Sequence, residues 1–356
     1  MRLANALLGA VQAEAMLAEN ARSSPQDLAL AHHQHLATAD AADDPEKLVG
    51  FLRWQALRAP GRKSLAVGAG RVPRCGPMST RLRAIARDTV SIIERGGYAT
   101  PAGRWAHLAD DVARAVAGTR LYLPGQVLDP APDTGPDAPA AGPPRIEVTN
   151  ESTLRAARRL AQDGPEPACL VFASAKNPGG GFLTGAQAQE ESLARASALH
   201  ACLTAVPQFY AYHRAQGDLR YSDRVIYCPG VPVFRDDKGR LLEDSYRVAF
   251  LTAAAPNAGA IIRIQPQAAV SVPAALRARA ARVLEVAAAH GHRRLVLGAW
   301  GCGVFRNDPA LVAEVFAHAL AAYDRFDHVC FAVLDRHPGT PTHIAFTRAF
   351  LPGVGW

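Results

Sequence analysis

The chain is predicted to fold as an α/β protein built on a mixed, largely parallel sheet with helices on both faces. Three observations carry this. The runs Ala168–Ala173 (ACLVFA), Leu295–Ala299 (LVLGA) and His328–Leu334 (HVCFAVL) have the unbroken hydrophobicity of strands buried on both sides. Amphipathic helical segments alternate with such runs. Glycine-rich loops follow two of them, at 177–185 and 299–305, and each leads towards a helix. Of 356 residues, 49% are hydrophobic, ample for the core such a sheet needs.

Taken in order, residues 1–77 differ from the rest. They are rich in Ala, His and Asp and end in a Gly/Pro/Arg-rich stretch at 59–77. Met78-Ser79-Thr80 looks like the start of a protein, so 1–77 is expected to be an extension, either disordered or a non-native start. Residues 78–128 form a helical accessory segment. Ser79 or Thr80 is expected to cap a helix through Leu82, Ile85, Ala86, Val90 and Ile93, and 104–118 to form a second one. The Pro/Asp/Ala/Gly-dense segment 129–144 reads as a flexible loop. The main domain then spans 145–356. Its expected strands are Ile146–Val148, Ala168–Ala173, Val225–Tyr227, Val248–Ala253, Ala260–Ile264, Leu295–Ala299 and His328–Leu334. Helices are expected at 152–162, 187–204, 273–290 and 308–323. No internal repeat is visible.

A net charge of +7 favours anionic partners without choosing among them. No run of five Lys/Arg occurs, so no direct nucleic-acid binding is expected. The six cysteines form no C-x-x-C pair and match no zinc spacing, and read as scattered apolar residues of a reducing compartment. No apolar run of about 18 residues is present, so no membrane span is expected. The apolar N-terminus is short and soon interrupted by Gln12 and Glu14. A cytoplasmic monomer is the expectation.

In sheets of this kind ligands bind beyond the carboxyl ends of the strands. The second loop, Gly301-Cys302-Gly303-Val304-Phe305, can turn successive N–H groups towards one anion. Asp308 and Pro309 are placed to start the next helix, whose positive end adds to anion binding. A tight turn before a well-capped helix explains the same residues. The first loop carries more chemistry. Asn177-Pro178 leads into Gly179-Gly180-Gly181, which leave a ligand unobstructed, and seven residues later comes Gln189-Glu190-Glu191 at a helix start. Adjacent helical carboxylates point about 100° apart. They are therefore expected not to act as a pair on one bond; one faces a ligand hydroxyl and the other the reacting centre. Acidic residues also favour helix N-termini for electrostatic reasons alone. Only the spacing to the glycines lifts this pair above that.

Three glycines, seven residues, then Gln-Glu-Glu resembles the signature of poly(ADP-ribose) glycohydrolases. The segments Ala84–Thr89 and Val148–Thr153 resemble the bacterial-type branch. Simple ADP-ribose-binding macrodomains lack Gln-Glu-Glu. The resemblance implies a macrodomain-like three-layer α/β/α fold with N-terminal helices. It implies hydrolysis of ribose–ribose O-glycosidic bonds with no metal and no cofactor, and poly(ADP-ribose) and ADP-ribosylated proteins as partners. By position, Glu191 would be the catalytic acid/base and Glu190 would hold hydroxyls of the ribose being cleaved. Asn177 would bind the same sugar, and Gln189 would lie in the substrate site. Gly179, Gly180 and Gly181 with Gly301, Cys302, Gly303 and Val304 would wrap the diphosphate. Phe305 would pack on the distal ribose, and Glu151 would read adenine. The branch further suggests attack from the free end of the polymer. Acid/base work by Glu191 asks for a carboxyl pKa raised by burial or by a neighbouring charge such as Glu190.

His200, His213, His290 and His318 read as packed or solvated helix residues. Arg277, Arg279, Arg282, Arg293 and Arg294 read as a solvated basic face or, alternatively, a polymer-binding patch. Trp300 and Phe331 read as core. Two other functions stay open on sequence: a reader that binds ADP-ribose without cleaving it, and a hydrolase removing the protein-linked ADP-ribose unit.

Overall fold

The structure is a computed structural model that describes residues 77–129 and 143–351. The extension reading of 1–77 and most of the 129–144 loop lie outside the described residues. The described elements, in order, are α1 (Pro77–Arg95), β1 (Gly97–Ala99), β2 (Trp105–His107), α2 (Ala109–Gly118), β3 (Arg120–Tyr122), β4 (Arg145–Thr149), α3 (Thr153–Gln162), β5 (Ala168–Phe172), a 3-10 turn (Phe182–Thr184), α4 (Gln189–Ala196), α5 (Leu199–Thr204) and α6 (Pro207–Ala215). They continue with β6 (Val225–Arg235), β7 (Leu241–Ala253), α7 (Ala258–Ile264), a second 3-10 turn (Pro266–Ser271), α8 (Val272–Ala289), β8 (Arg294–Leu297), α9 (Pro309–Ala321), β9 (His328–Ala332) and α10 (Pro341–Phe350).

Seven of the strands form one sheet in the order β3-β6-β7-β5-β8-β9-β4. β7, β5, β8, β9 and β4 run parallel, while β6 and β3 close one edge antiparallel. The sheet is covered on both faces, as the unbroken apolar runs require. Along β5, Ala168 and Leu170 face a core with Leu276 and Val283 of α8, Phe316 of α9 and Phe346 of α10. Cys169 and Val171 face a second core with Leu160 of α3, Leu203 of α5 and Phe209 of α6. Trp300 and Phe331 are buried in the first of these. β5 and β8 are neighbours, with Ala168 opposite Leu295, so both glycine-rich loops leave the same end of the sheet side by side.

Several expectations need correction. Ala260–Ile264 is helical, not a strand: the Asn257 side chain accepts the Ala260 amide as a cap, and only Ile261 of the isoleucines is buried. The helix expected over 187–204 breaks at Ser197, which adopts extended backbone and bridges Val233 of β6. The segment 104–118 begins as strand β2 before α2, and the Val225–Tyr227 and Val248–Ala253 strands extend into a long β6–β7 ribbon. Ser79 and Thr80 lie inside α1 rather than capping it. β1, β3, α6 and α10 were not expected at all. Neither reading of the arginine cluster fits Arg279, Arg282 and Arg294, which are buried. Arg279 holds Asp223 and the Arg220 and Ala254 carbonyls, Arg282 the Leu123 and Gln126 carbonyls, and Arg294 the Leu160 carbonyl. They satisfy loop carbonyls and one carbonyl in the last turn of α3. Among the described residues no helix is long and apolar enough to cross a membrane.

α1 braces the region that follows the central strand. Buried Thr89 donates its hydroxyl to the Arg195 carbonyl of α4 at 2.6 Å and accepts from Arg235 of β6 at 3.1 Å. Asp88 pairs with the same arginine. Further along, Gly185 sits at φ 84° with its open side pressed against the Ser79 carbonyl and Arg83 of α1. A side chain there meets both backbone strain and α1. Gly185→Ala is expected to cost about 1–3 kcal/mol, read as a lower midpoint in thermal melts. Gly217→Ala, where no atom stands within 4 Å, serves as the near-neutral control.

Candidate active site

The first glycine loop is organised by three consecutive side chains at the start of α4. Gln189 Oε1 accepts the Phe172 amide at 2.9 Å, Glu190 Oε2 the Ser174 amide at 2.6 Å, and Glu191 Oε1 the Gly181 amide at 3.0 Å. One turn of helix therefore grips both ends of the loop. Inside it, Ser174 Oγ accepts the Lys176 and Asn177 amides, and the Asn177 carbonyl accepts the Gly180 amide. The chain then doubles back through Gly179 and Gly180 at φ 68° and 60°. A Cβ at Gly180 would run into the Glu191 carboxylate and stand 3.2 Å from Glu190 Oε2. At Gly179 a Cβ would press on Phe182, Ala194 and His200 at 3.1–3.4 Å. These positions need glycine because neighbouring side chains occupy the space.

The two glutamates differ in setting. Glu190 is 3% exposed. Burial holds its carboxyl well above the ordinary range; the Glu191 charge adds to the rise, and the Ser174 and Gly179 amides oppose it. Its Oε1 makes no hydrogen bond of normal geometry. Glu191 is half-buried beside the cleft. The burial expected to act on Glu191 thus falls on Glu190. The carboxyls also converge more than their helical angle suggested: both reach Gly180, because two flexible methylene stems bend inwards.

Two further groups escaped the sequence reading. Arg195, four residues after Glu191, is buried and donates to the Ala186 carbonyl at 2.6 Å; burial lowers its pKa, and the Glu191 charge opposes that. The i,i+4 spacing was the available signal. Tyr210 of α6 is buried with an unpartnered hydroxyl and feels the Glu190 charge; nothing local in the sequence marks it.

Gln189 departs from its expected place. Its acceptor holds Phe172, and its Nε2 donates to the Leu170 carbonyl at 2.8 Å and to Thr153 Oγ1 at 3.2 Å. The amide is spent on pinning α4 to β5, so a substrate contact would have to displace one of these bonds. Asn177 is exposed at the mouth of the loop. Glu151 lies at the far edge of the sheet, where its carboxylate takes Arg159 Nη2 at 2.8 Å alongside Glu147.

The second loop is held by Asn307. Its Nδ2 donates to the Pro256 carbonyl at 2.8 Å and the Gly301 carbonyl at 3.1 Å. Gly301 sits at φ 71°, where a Cβ would meet Asn307 and Ala255. Gly303 faces open space and Val304 is 82% exposed. The Cys302 thiol turns towards the Trp300 carbonyl, and burial pushes it up to about 12, so only its backbone faces the loop. Phe305 is half-buried, 6.0 Å from the Tyr221 ring. Asp308 caps α9 through the Ala310 amide, with Pro309 at the first helical position, as expected. Among the described residues no group of three His, Cys, Asp or Glu side chains is arranged to hold a metal ion.

The structure is similar to that of poly(ADP-ribose) glycohydrolase from Thermomonospora curvata, with a TM-score of 0.70 and 57% identity over 76% of this chain and 100% of that one. The chain belongs to the microbial-type poly(ADP-ribose) glycohydrolases. Residues 86–236 match the family model for the microbial-type PARG catalytic domain, and residues 1–67 match a family of unknown function (DUF6245). The T. curvata glycohydrolase bound to the inhibitor ADP-HPD matches at 56% identity and TM-score 0.68, over 76% of this chain and 100% of that one. The Deinococcus radiodurans glycohydrolase in complex with ADP-ribose matches at 47% identity and TM-score 0.62, over 67% of this chain and 96% of that one. No curated protein matches. The macrodomain-like fold expected for such glycohydrolases is the one observed.

Two outcomes follow from the geometry. Gln189→Glu turns a carboxylate oxygen towards the Leu170 carbonyl. It is expected to cost on the order of 1–3 kcal/mol and to lower kcat more than it raises KM, checked by melting and steady-state kinetics. For Glu190 the folded carboxyl binds its proton more tightly than the unfolded one. Wild-type stability is therefore lost as pH rises from the ordinary carboxylate value through the raised one. Glu190→Gln, which cannot ionise, should gain Tm over wild type across that rise, at about 2–4 °C per kcal/mol. A Tm difference flat from pH 4 to 8 would contradict this.

Proposed function

We propose that this glycohydrolase cleaves the ribose–ribose O-glycosidic bond of poly(ADP-ribose) from the chain end and releases ADP-ribose. The observation that carries the reading is the placement of two carboxyls of unlike environment over Gly180, at the mouth of a loop with no side chains to obstruct a sugar. In this reading Gly179–Gly181 and Gly301–Val304 wrap the diphosphate, and the terminal ribose lies over Gly180. Asn177 binds that sugar, Phe305 packs on the distal ribose, and Glu151 reads adenine from the sheet edge through the carboxylate that Arg159 orients.

Glu191 protonates the departing ribose oxygen as the glycosidic bond opens to an oxocarbenium-like state, then takes a proton from the attacking water. Glu190, dry and protonated more readily than an ordinary carboxyl, turns its unpartnered Oε1 to a ribose hydroxyl. Arg195 steadies the Glu191 carboxylate between the two proton transfers. Polymer on ADP-ribosylated proteins is the substrate class. The free thiols of Cys169, Cys202, Cys228, Cys302 and Cys330 support a reducing, cytoplasmic setting.

The test uses poly(ADP-ribosyl)ated protein. Wild type is expected to release ADP-ribose and leave a mono-modified protein. Glu191→Gln is expected to bind ADP-ribose with unchanged affinity while losing about 100-fold or more in kcat. No release by wild type would leave a reader, and complete stripping would leave a hydrolase of the protein-linked unit. Substantial hydrolysis by Glu191→Gln would remove that residue from its role.

A further inference from the structure

The second glycine loop ends in an unusual arginine. Arg306 is not glycine yet sits at φ 56°, a conformation that costs energy for a long side chain and persists only where the surroundings dictate it. They do so here. The Arg306 amide bonds the Gly303 carbonyl at 3.0 Å, and the next residue, buried Asn307, is tied to the Gly301 and Pro256 carbonyls. The forced turn lays the Arg306 stem across α7. Its Cβ, Cγ and Cδ stand 2.9–3.3 Å from where a Cβ would be at Gly259, whose amide donates to the Phe305 carbonyl at 2.9 Å. Gly259 is the gap that lets the stem pass.

Arg263 lies four residues along α7 from Gly259, on the same face and one turn further. Both arginines are exposed, and neither side chain makes a hydrogen bond or ion pair among the described residues. Their neighbours behave otherwise: Arg220 grips Asp218, and Arg279 is buried on Asp223. Ile262 and Ile264, 66% and 60% exposed, border Arg263 and give the strip an apolar margin. Two unpaired arginines thus share this face, the stem of one lying at Gly259 beside the Gly301–Phe305 loop and the other rooted one turn further along α7.

We propose that Arg306 and Arg263 form a cationic strip that binds a pyrophosphate of the polymer outside the cleft, beyond the ADP-ribose unit being released. The inference rests on the polymer-hydrolase reading. Under that reading the released unit's own diphosphate is already wrapped by the two loops. A polymer presents a further pyrophosphate in every repeat, and the strip has the charge to take one while the ribose and adenine lie along the isoleucines.

The experiment compares wild type with Arg306→Asn, which tolerates a left-handed backbone, Arg263→Gln and the double variant. KM and its salt dependence are measured on long poly(ADP-ribose), and Kd for free ADP-ribose by calorimetry. The double variant is expected to raise polymer KM about threefold to tenfold at low salt and to flatten the slope of log KM against log salt by about one. kcat and ADP-ribose Kd should stay within about twofold. Arg306→Lys should keep most of the polymer affinity. An unchanged polymer KM and salt slope would overturn the proposal. So would an equal loss of ADP-ribose affinity, which would place the cations on the released unit. If wild type binds polymer without hydrolysing it, the activity reading falls instead, and polymer Kd then tests the strip by the same comparison.

Discussion

Three backbone amides, those of Phe172, Ser174 and Gly181, decide the shape of this site. Each donates to one of three successive side chains on the first turn of α4. A loop leaving the end of a parallel strand ordinarily has freedom to wander. Here its start and finish are bonded to the same helical turn, so the intervening residues must fold back over it. That return path passes through the space beside two carboxyls, and only glycine fits there. The triple glycine and Gln-Glu-Glu are one device: the second motif shapes the loop that the first makes possible. Gln189 has to be an amide in this device, because the same group must accept from one strand residue and donate to another.

The device also separates two chemically identical side chains. Glu190 is drawn under the loop, where desolvation favours its neutral form, while Glu191 stays at the rim near Arg195. Environment rather than residue type then sets Glu190 apart as the group that favours its proton. α1 contributes from outside. By bonding the Arg195 carbonyl through Thr89 it fixes the far end of the short helix whose first turn carries Glu190 and Glu191. That brace adds to the burial of Leu193, Ala194 and Ala196, which pack α4 onto the cores beneath it.

The parallel strands, the long helices and both glycine loops were legible in the sequence because each depends on local periodicity or on residues close together. Most of what was missed depends on long-range partners, with the Asn257 cap of α7 a local exception. Ala260–Ile264 has the composition of a strand, and only its cap and its one-sided burial make it a helix. The break at Ser197 exists because β6 offers an edge to pair with. The cluster around Arg279 looked like a surface because charge is usually solvated. Its burial follows from carbonyls brought to it by distant segments. In the site, the types and spacing of Glu190 and Glu191 were readable. Which of the two is dry was not, since that depends on the path of a loop that comes before them.

The two glycine loops are built by opposite means. The first loop is filled from below by side chains and is rigid where bond cleavage demands fixed distances. The second is tied at its base by Asn307 and capped at its exit by Asp308, but Gly303 and Val304 between them meet little protein. Its amides are held in a turn whose outer side is open, which is what a diphosphate requires: fixed donors and no side chains in its way. Since β5 and β8 are hydrogen-bonded neighbours, the sheet fixes the spacing between the loops. The loops are thereby positioned by the most buried part of the molecule, so packing beneath β5 and β8 bears directly on how the second glycine loop lines up with Glu191.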